Sequence, residues 1–414
     1  MTFWIIRVEL GEILNNPSSA LLQLERFVNK GSPSGFHTLE GVSWQTHPEN
    51  ESDHYKLPLV KFRESDVEFS YHGSLPDALM DNNGALYACH PDMMANLQSC
   101  GTQYDVVRHL DVSPTASVRT VVCVQTGFHL KLSMDTKIGR FNRRISFPKW
   151  LASFENNSEL VERVQAGQAP TEFAMLCEIS GLHVKDRRAT NLDDGFIVRD
   201  PKPYPSSSRM SMVPFFSLFS PDVREPTEPT LLSQMLLGRS DPLQSTMEMI
   251  IEPILKCYKF QAIDLGMIPE NNAQNILLEI DRNANSTRIV HRDMMGTFKD
   301  LALRQQLGLR LDFEDYHSTD LSDGMSDTYK RRSFAYDFKL GEYVFSEIEQ
   351  ALSVEFNISQ TTFRNSVKER FRSIVSSEPE TYFGIENVWW SYEKVIPSPS
   401  NERPYKKNRF PKYR

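Results

Sequence analysis

Five cysteines in 414 residues, with no C-x-x-C pair, leave no basis for a disulfide framework or a thiolate zinc site. Cys89, Cys100 and Cys177 are scattered, while Cys123 and Cys257 sit in apolar runs that suit small core residues. No apolar run approaches a membrane span, and Phe3-Trp4-Ile5-Ile6 is too short for a signal-peptide core, which implies the cytoplasm. A surplus of positive charge is missing too. With a net charge of −8, nothing drives the chain as a whole toward nucleic acid or an anionic membrane. Any anion site must therefore be a local cationic pocket. The chain also lacks an internal repeat and a glycine-rich loop of the kind that covers phosphates in kinases. What remains, 40% hydrophobic and 24% charged, is a globular chain long enough for two or three domains.

Periodicity divides the chain. Residues 1–85 open with a helical pattern (Leu21, Leu22, Leu24, Phe27) and then read as irregular. Residues 86–200 are strand-rich, with a helix expected near Trp150 to Gln165. The interval 201–230 holds Pro201, Pro203, Pro205, Pro214, Pro221, Pro226 and Pro229 and reads as a connector. In 231–395, Met247, Ile250, Ile251, Ile254, Leu255 and Tyr258 make one helical stripe, with Gly266 as its terminator. Further helices are expected at Glu342 to Phe356 and Gln360 to Val375. The tail, 396–414, reads as a draped terminus. From Lys394 onward it carries seven Lys/Arg against the single acid Glu402. The fold class is α+β: a strand-rich nucleotide-binding part, a mostly helical C-terminal part, and the site in the cleft between them.

Two segments point to chemistry. The first runs from Pro269, PENNAQNILLEIDRNANSTRIVHRDMMG. It crowds Glu270, Asn271, Asn272, Gln274 and Asn275 into a loop, follows with a β-hairpin, and returns with Asp293 beside the loop. Hard cations such as Mg²⁺ take oxygen ligands, usually a carboxylate or two plus substrate phosphates. A solvated Asn-rich turn has the same composition, because Asn bonds its own backbone. The second segment breaks that tie. Val118 to Gln125 and Phe128 to Met134 read as two strands around a Thr126-Gly127 turn. Alternation places His129, Lys131 and Ser133 on one face, close to Ser117, Arg119 and Thr120 and followed by Arg140, Arg143 and Arg144. Arginine forks and a lysine point charge held on a sheet suit phosphates and carboxylates.

The pieces SPTASVRTV, FHLKLS and KIGRFNRRIS, with Tyr87-Ala88-Cys89-His90-Pro91 upstream and PENNAQN…VHRDMMG downstream, resemble the NRPS-independent siderophore synthetases, the aerobactin-synthetase-like ligases. The resemblance spans about Leu86 to Gly296. It implies ATP and Mg²⁺ as cofactors and adenylation of a citrate-like carboxylate. Condensation with an amine or alcohol in siderophore assembly then follows, with a homodimer as the assembly. It places Ser117, Arg119, Thr120, Lys131, Gln274 and Asn275 on the nucleotide, and Glu270, Asn275 and Asp293 on the metal. Lys131, Asn272 and one of Arg143 or Arg144 are implied at the reacting groups. Asn272 stands where the family has histidine, Gly139 where it has threonine, and the chain reads as N-terminally short. A small-molecule kinase and a non-catalytic nucleotide- or polycarboxylate-binding paralogue are the alternatives. His291, beside Asp293, fits an exposed strand face as well as a role in the site, and His183 and His109 read as structural or surface residues.

Overall fold

The computed structural model describes residues 10–29, 41–99, 101–138, 141–187, 192–207, 211–313, 328–385, 387–390, 405–408 and 411–414. Its frame is one 11-stranded mixed sheet. The sheet uses β1 (Tyr55–Phe62), β2 (Val67–His72), β3 (Tyr87–Ala88), β4 (Tyr104–Pro114), β5 (Thr120–Cys123) and β6 (His129–Lys131). A separate hairpin, β7 (Met134–Ile138) and β8 (Phe141–Arg143), follows. The long strands β9 (Phe173–Asp186) and β10 (Asp193–Tyr204), then β11 (Ser211–Pro214), β12 (Ile276–Ile280) and β13 (Ser286–His291), complete the set. The sheet order is β11-β12-β13-β9-β10-β6-β5-β4-β1-β3, with β2 added to β9. All the pairings are antiparallel except one. β9 and β13 run parallel, with Phe173 opposite Ile289 and Met175 opposite His291. That pair joins the two halves of the molecule.

Each half has its own core. Leu57, Leu59, Val112, Leu130, Phe196 and Val198 belong to the apolar cluster at the β1–β6 end. The other cluster joins Ile276, Leu278 and Ile289 to the helices of the C-terminal part, including Ile254, Tyr258, Tyr336, Phe345, Phe363 and Phe371. β12 is buried at every position, so four of its five residues are apolar, and the exception, Glu279, is paired with Arg288 at 2.6 Å. The longer α-helices among the described residues are α1 (Pro17–Phe27), α2 (Phe147–Gln165), α3 (Ser346–Phe356) and α4 (Gln360–Ile374). A continuous helical run from Pro242 to Asp264 widens to π geometry at Met247–Ile251 and Lys259–Asp264. Pro253 has no N–H to close a regular turn there. A third π segment spans Phe334–Phe345. No helix among the described residues is long and apolar enough to cross a membrane.

Several expectations from sequence require correction. The 201–230 interval is not a surface connector: β10 runs on to Tyr204, β11 pairs with β12, and Phe215, Phe216 and Leu218 are buried. Pro214 is tolerated at the end of β11, an edge strand, and Pro201 and Pro203 lie on β10 past Arg199, where its pairing with β6 ends. The irregular part of residues 1–85 contains β1 and β2. The strand expected from Val118 begins only at Thr120, because Val118 has φ +63 and turns the chain.

The described parts of the tail, 405–408 and 411–414, do not drape. Tyr405–Asn408 pairs with Asn387–Trp390, and Tyr413 and Arg414 are buried against the Phe334–Phe345 helix. Arg414 Nε donates to both carboxylate oxygens of Asp337 at 3.0 and 3.1 Å, and Nη1 donates to the Gly384 carbonyl. Burial pushes the Asp337 carboxyl up, and Arg414 opposes that shift. Arg414→Ala is expected to cost about 3–5 kcal/mol, the usual effect of breaking a buried pair. With the guanidinium gone, the folded-state pKa of Asp337 rises further above its unfolded value. The protonated form then supplies stability at low pH that is lost as pH rises. Urea unfolding should therefore show a larger deficit at pH 8 than at pH 5, and equal deficits would contradict the pairing.

Candidate functional site

The cationic half of the site is built on one sheet face. Lys131 on β6 lies opposite Thr120 on β5 and Ile197 on β10. One row along, His129 lies opposite Arg199, and Arg199 opposite Glu178 on β9. The alternation therefore projects His129, Lys131, Thr120 and Arg199 from the same side. Arg119 comes from the turn before β5. Thr115 Oγ1 donates there to the Thr120 carbonyl at 2.7 Å, and Ser117 Oγ accepts from the Thr120 N–H at 3.0 Å. Ser117 thus shapes the turn that presents Arg119, whose Nη1 donates to the Arg143 carbonyl at 3.1 Å.

The carboxylate half comes from the open end of the β12–β13 hairpin. Arg292 N donates to the Asn275 carbonyl at 2.9 Å and Arg292 Nε to the Gln274 carbonyl at 2.7 Å, tying the Asn-rich loop to the residues after β13. Asp293 follows in the left-handed region, φ +70, an uncommon setting for a residue other than glycine. Strain of this kind collects at functional sites. Lys131 Nζ donates to Asp293 Oδ1 across 162 residues of sequence. Glu270 is held from both sides. Lys339 Nζ lies 2.7 Å from its Oε1, and a Cβ added at Gly296 would come within 2.7 Å of its Oε2. A larger residue at 296 would push that carboxylate from its place.

Electrostatics follow from burial. Desolvation lowers the Lys131 ammonium, and the Asp293 carboxylate opposes that. Burial disfavours charge on Asp293, yet Lys131, Arg119 and Arg199 overcome it and hold the carboxyl below the usual range. Desolvation and the adjoining Arg143 bring Arg119 down to about 10, against the pull of Asp293 and Glu270. Arg143 is also lowered by burial and opposed by Glu270 and Asp293. Arg199 pairs with Glu178 at 2.9 Å and keeps Nε buried with no hydrogen-bond partner among the described residues. Packed cations on this scale raise the cost of emptiness and favour a polyanion.

Most of the residues singled out from sequence converge here: Arg119, Thr120, Lys131, Arg143, Glu270, Asn275 and Asp293. Two do not serve as expected. Arg144 turns away, because Nε donates to Asp194 Oδ1 at 2.9 Å and Nη2 binds the other oxygen. Asn272 closes its own loop, with Oδ1 accepting from the N–H groups of Gln274 and Asn275 at 3.0 and 3.1 Å. It is the loop's Asx turn rather than a group aimed at a reacting atom. Asn272→Ala is expected to cost about 1–3 kcal/mol and to loosen Asn275, visible as faster amide exchange across 270–275. Gln274 is half-buried at the loop rim, with its carbonyl held by Arg292. Gly139 lies outside the described residues.

His291 is buried and stacked on Phe173 at 5.1 Å, with burial bringing its imidazole down to about 3, so it is a neutral core group. His90 Nδ1 accepts from Asp92 N, and Asp92 in turn accepts from Asp135 and Thr136 N–H groups. The His-Pro element therefore braces β7. Arg199, Glu178 and Lys339 were not legible as site residues. Arg199 and Glu178 are far from both motifs in sequence, and Lys339 lies in a helix with no recognisable spacing.

The oxygen donors present suit magnesium. Asp293 and Glu270 supply carboxylates, and Asn275 donates its amide N–H to the Glu270 carbonyl at 3.1 Å, leaving Oδ1 with no hydrogen bond among the described residues. No cluster of three or more His, Cys, Asp or Glu forms a metal cage among the described residues. Such a set fits an ion whose remaining ligands are phosphates and water.

The sheet and the site together define a mixed α/β protein with a cluster of cations and carboxylates at the junction of its two halves. Residues 90–220 match the model of the IucA / IucC family. The fold matches petrobactin biosynthesis protein AsbB from Bacillus anthracis str. Sterne, TM-score 0.68 at 14% identity, over 99% of this chain and 80% of that one. It also matches aerobactin synthetase IucA from a hypervirulent pathotype of Klebsiella pneumoniae, TM-score 0.64 at 14% identity, over 98% and 80%, and IucA has been solved with ATP bound as well. Aerobactin synthetase IucC from the same source gives TM-score 0.62 at 14% identity, over 91% and 76%. No curated protein matches by sequence. Residues 90–220 thus resemble the IucA / IucC family, and the chain as a whole shares the fold of these solved proteins.

Proposed function

We propose that the protein is an ATP-dependent siderophore synthetase that adenylates a citrate-like carboxylate and condenses it with an amine or alcohol. The observation that carries this reading is the set of buried Lys131, Arg119 and Arg199 with half-buried Arg143, facing Asp293 and Glu270. Transfer at a polyphosphate depends mostly on positioning and on neutralising charge, and this set supplies both. The family-model match over residues 90–220 and the shared fold with ATP-bound IucA support the nucleotide.

A substrate carboxylate oxygen attacks the α-phosphorus, the bond to the bridging oxygen breaks, and pyrophosphate leaves with the electron pair. Lys131 and Arg119 hold the phosphate oxygens as charge builds, and Arg143 holds the α-phosphate or the incoming carboxylate. Thr120 and the Ser117 turn keep Arg119 in register, and Gln274 closes the rim. Mg²⁺, when bound through Asp293, Asn275 and Glu270, would screen the phosphate charge. The amine or alcohol then attacks the acyl carbon, loses its proton, and AMP departs.

The test is product analysis from Mg·ATP with citrate or 2-oxoglutarate and a panel of amines and amino alcohols. Carboxylate-dependent AMP and pyrophosphate support the reading. ADP would move the protein to the kinase class, and saturable nucleotide binding without turnover would make it a binding paralogue. The Asx-turn role of Asn272 speaks for turnover without a histidine there, because the loop geometry is complete as it stands.

A further inference from the structure

From Tyr104 to His109, β4 pairs with β1 on one side only, because its pairing with β5 begins at Val112. Val106 and Val107 are exposed there, together with Asp105, Arg108 and His109. An open edge carrying apolar side chains is a template for another strand. Hydrogen-bond directions narrow the choice of strand. The Gln103 carbonyl accepts from the Arg63 N–H at 3.3 Å, on the β1 side, and the Asp111 carbonyl accepts from the Val124 N–H at 3.0 Å, on the opposite side. Residues separated by an even number of steps face the same way in a regular strand. The register shift supplies the reversal. Leu59 lies opposite Arg108 and Val60 opposite Val106, so Val107 is an extra residue, a bulge. Tyr104 and His109 therefore both turn their backbone N–H and C=O groups to the open side, an odd number of residues apart.

A regular strand presents its outward groups at even spacings and cannot meet both. A second copy of this chain, running antiparallel, can, because it carries the same odd step in the reverse direction. We propose that β4 is a self-association edge, at which two copies join their sheets about a two-fold axis between Val106 and Val107. Tyr104 then lies across from His109 of the partner subunit, and Asp105 across from Arg108 of the partner subunit, each twice. Read along the edge, the order aromatic, acid, valine, valine, base, aromatic is its own complement. Opposite charges directly across a strand pair stabilise it, and like charges there destabilise it. Arg108 is already mounted for the contact, since Nη2 donates to the Ala78 and Met80 carbonyls at 2.9 and 2.8 Å. The contact is isologous, so it closes at two copies and does not propagate. Six residues a side fall short of the standard interface of about 800 Å² per partner, which places the association in the micromolar range. The inference is independent of the nucleotide reading.

Sedimentation velocity of the full chain over a concentration series tests this. The wild type should pass from monomer to dimer. Asp105→Lys and Arg108→Glu should each weaken the dimer about a hundredfold, because two like-charge contacts replace two ion pairs. Mixed in equal amounts, the two variants should dimerise again, since one edge is then basic and the other acidic. Circular dichroism melts matching the wild type show that both are folded. Val106→Pro removes an N–H that faces away from β1, so it should spare the melting temperature and abolish the dimer. A wild type that stays monomeric throughout overturns the proposal. So does a dimer that Asp105→Lys leaves intact, or one that mixing fails to restore. None of these outcomes bears on the formation of AMP and pyrophosphate.

Discussion

Replacing Lys131 by alanine is expected to lower carboxylate-dependent pyrophosphate release about a thousandfold while leaving the protein folded. The size follows from the loss of one preorganised charge at a site that excludes water, where a single donor is worth about 10²–10³ in rate. The fold survives because Asp293 keeps Arg119 and Arg199 as counter-charges. The reverse substitution is different in kind. Asp293→Ala leaves Lys131, Arg119 and Arg199 without their shared anion, so activity and stability should fall together, with Lys131 favoured in its neutral form. Circular dichroism melts beside a pyrophosphate assay separate the two outcomes. An active Lys131→Ala would remove the residue from the site.

Acid should unfold the protein well above the carboxylate range. His90, His129 and His291 are buried to within 5% of full enclosure, and burial brings their imidazoles down to about 4, 3 and 3, with Arg199 and Arg292 adding to the shift at His129. Each folded pKa lies below the unfolded value near 6.5. The resulting stability is fully present above pH 6.5 and is lost as pH falls toward the folded values, because the unfolded chain then binds three protons that the native chain refuses. The slope approaches about 4 kcal/mol per pH unit, or about 5 kcal/mol between pH 7 and pH 5, a large share of a domain's usual stability. Urea midpoints across that interval check this, and His291→Gln should flatten the slope by about a third. A midpoint unchanged at pH 5 would refute it.

The sequence was most informative where a strand exposes one polar face. His129 and Lys131 alternate with buried leucines, and the hairpin beginning at Ile276 returns Asp293 to its loop, so both halves of the pocket could be read from periodicity and turn chemistry. Arg143 and Arg144 could not be told apart, because neighbours on an extended chain point to opposite faces and a shift of one residue exchanges them. The structure settles their placement: Arg144 goes to Asp194, and Arg143 stays near Glu270. Pro201, Pro203 and Pro214 misled because proline disfavours only the hydrogen-bonded side of a strand, and both the end of β10 past Arg199 and the edge strand β11 have a side to spare. Lys339 and Arg414 were invisible for another reason. Their partners, Glu270 and Asp337, lie 69 and 77 residues away, and no local pattern records a contact of that range.

The parallel junction of β9 with β13 has a kinetic consequence. Cations from one half of the chain and carboxylates from the other meet only after that pairing forms in register, and parallel pairs with long intervening loops form slowly. A refolding chain will regain most of its helical signal before it can hold a nucleotide. Recovery of ligand binding then becomes a clock for a single sheet junction, and a fragment confined to residues 90–220 would carry half of the charges and none of the answering carboxylates from the Asn-rich loop.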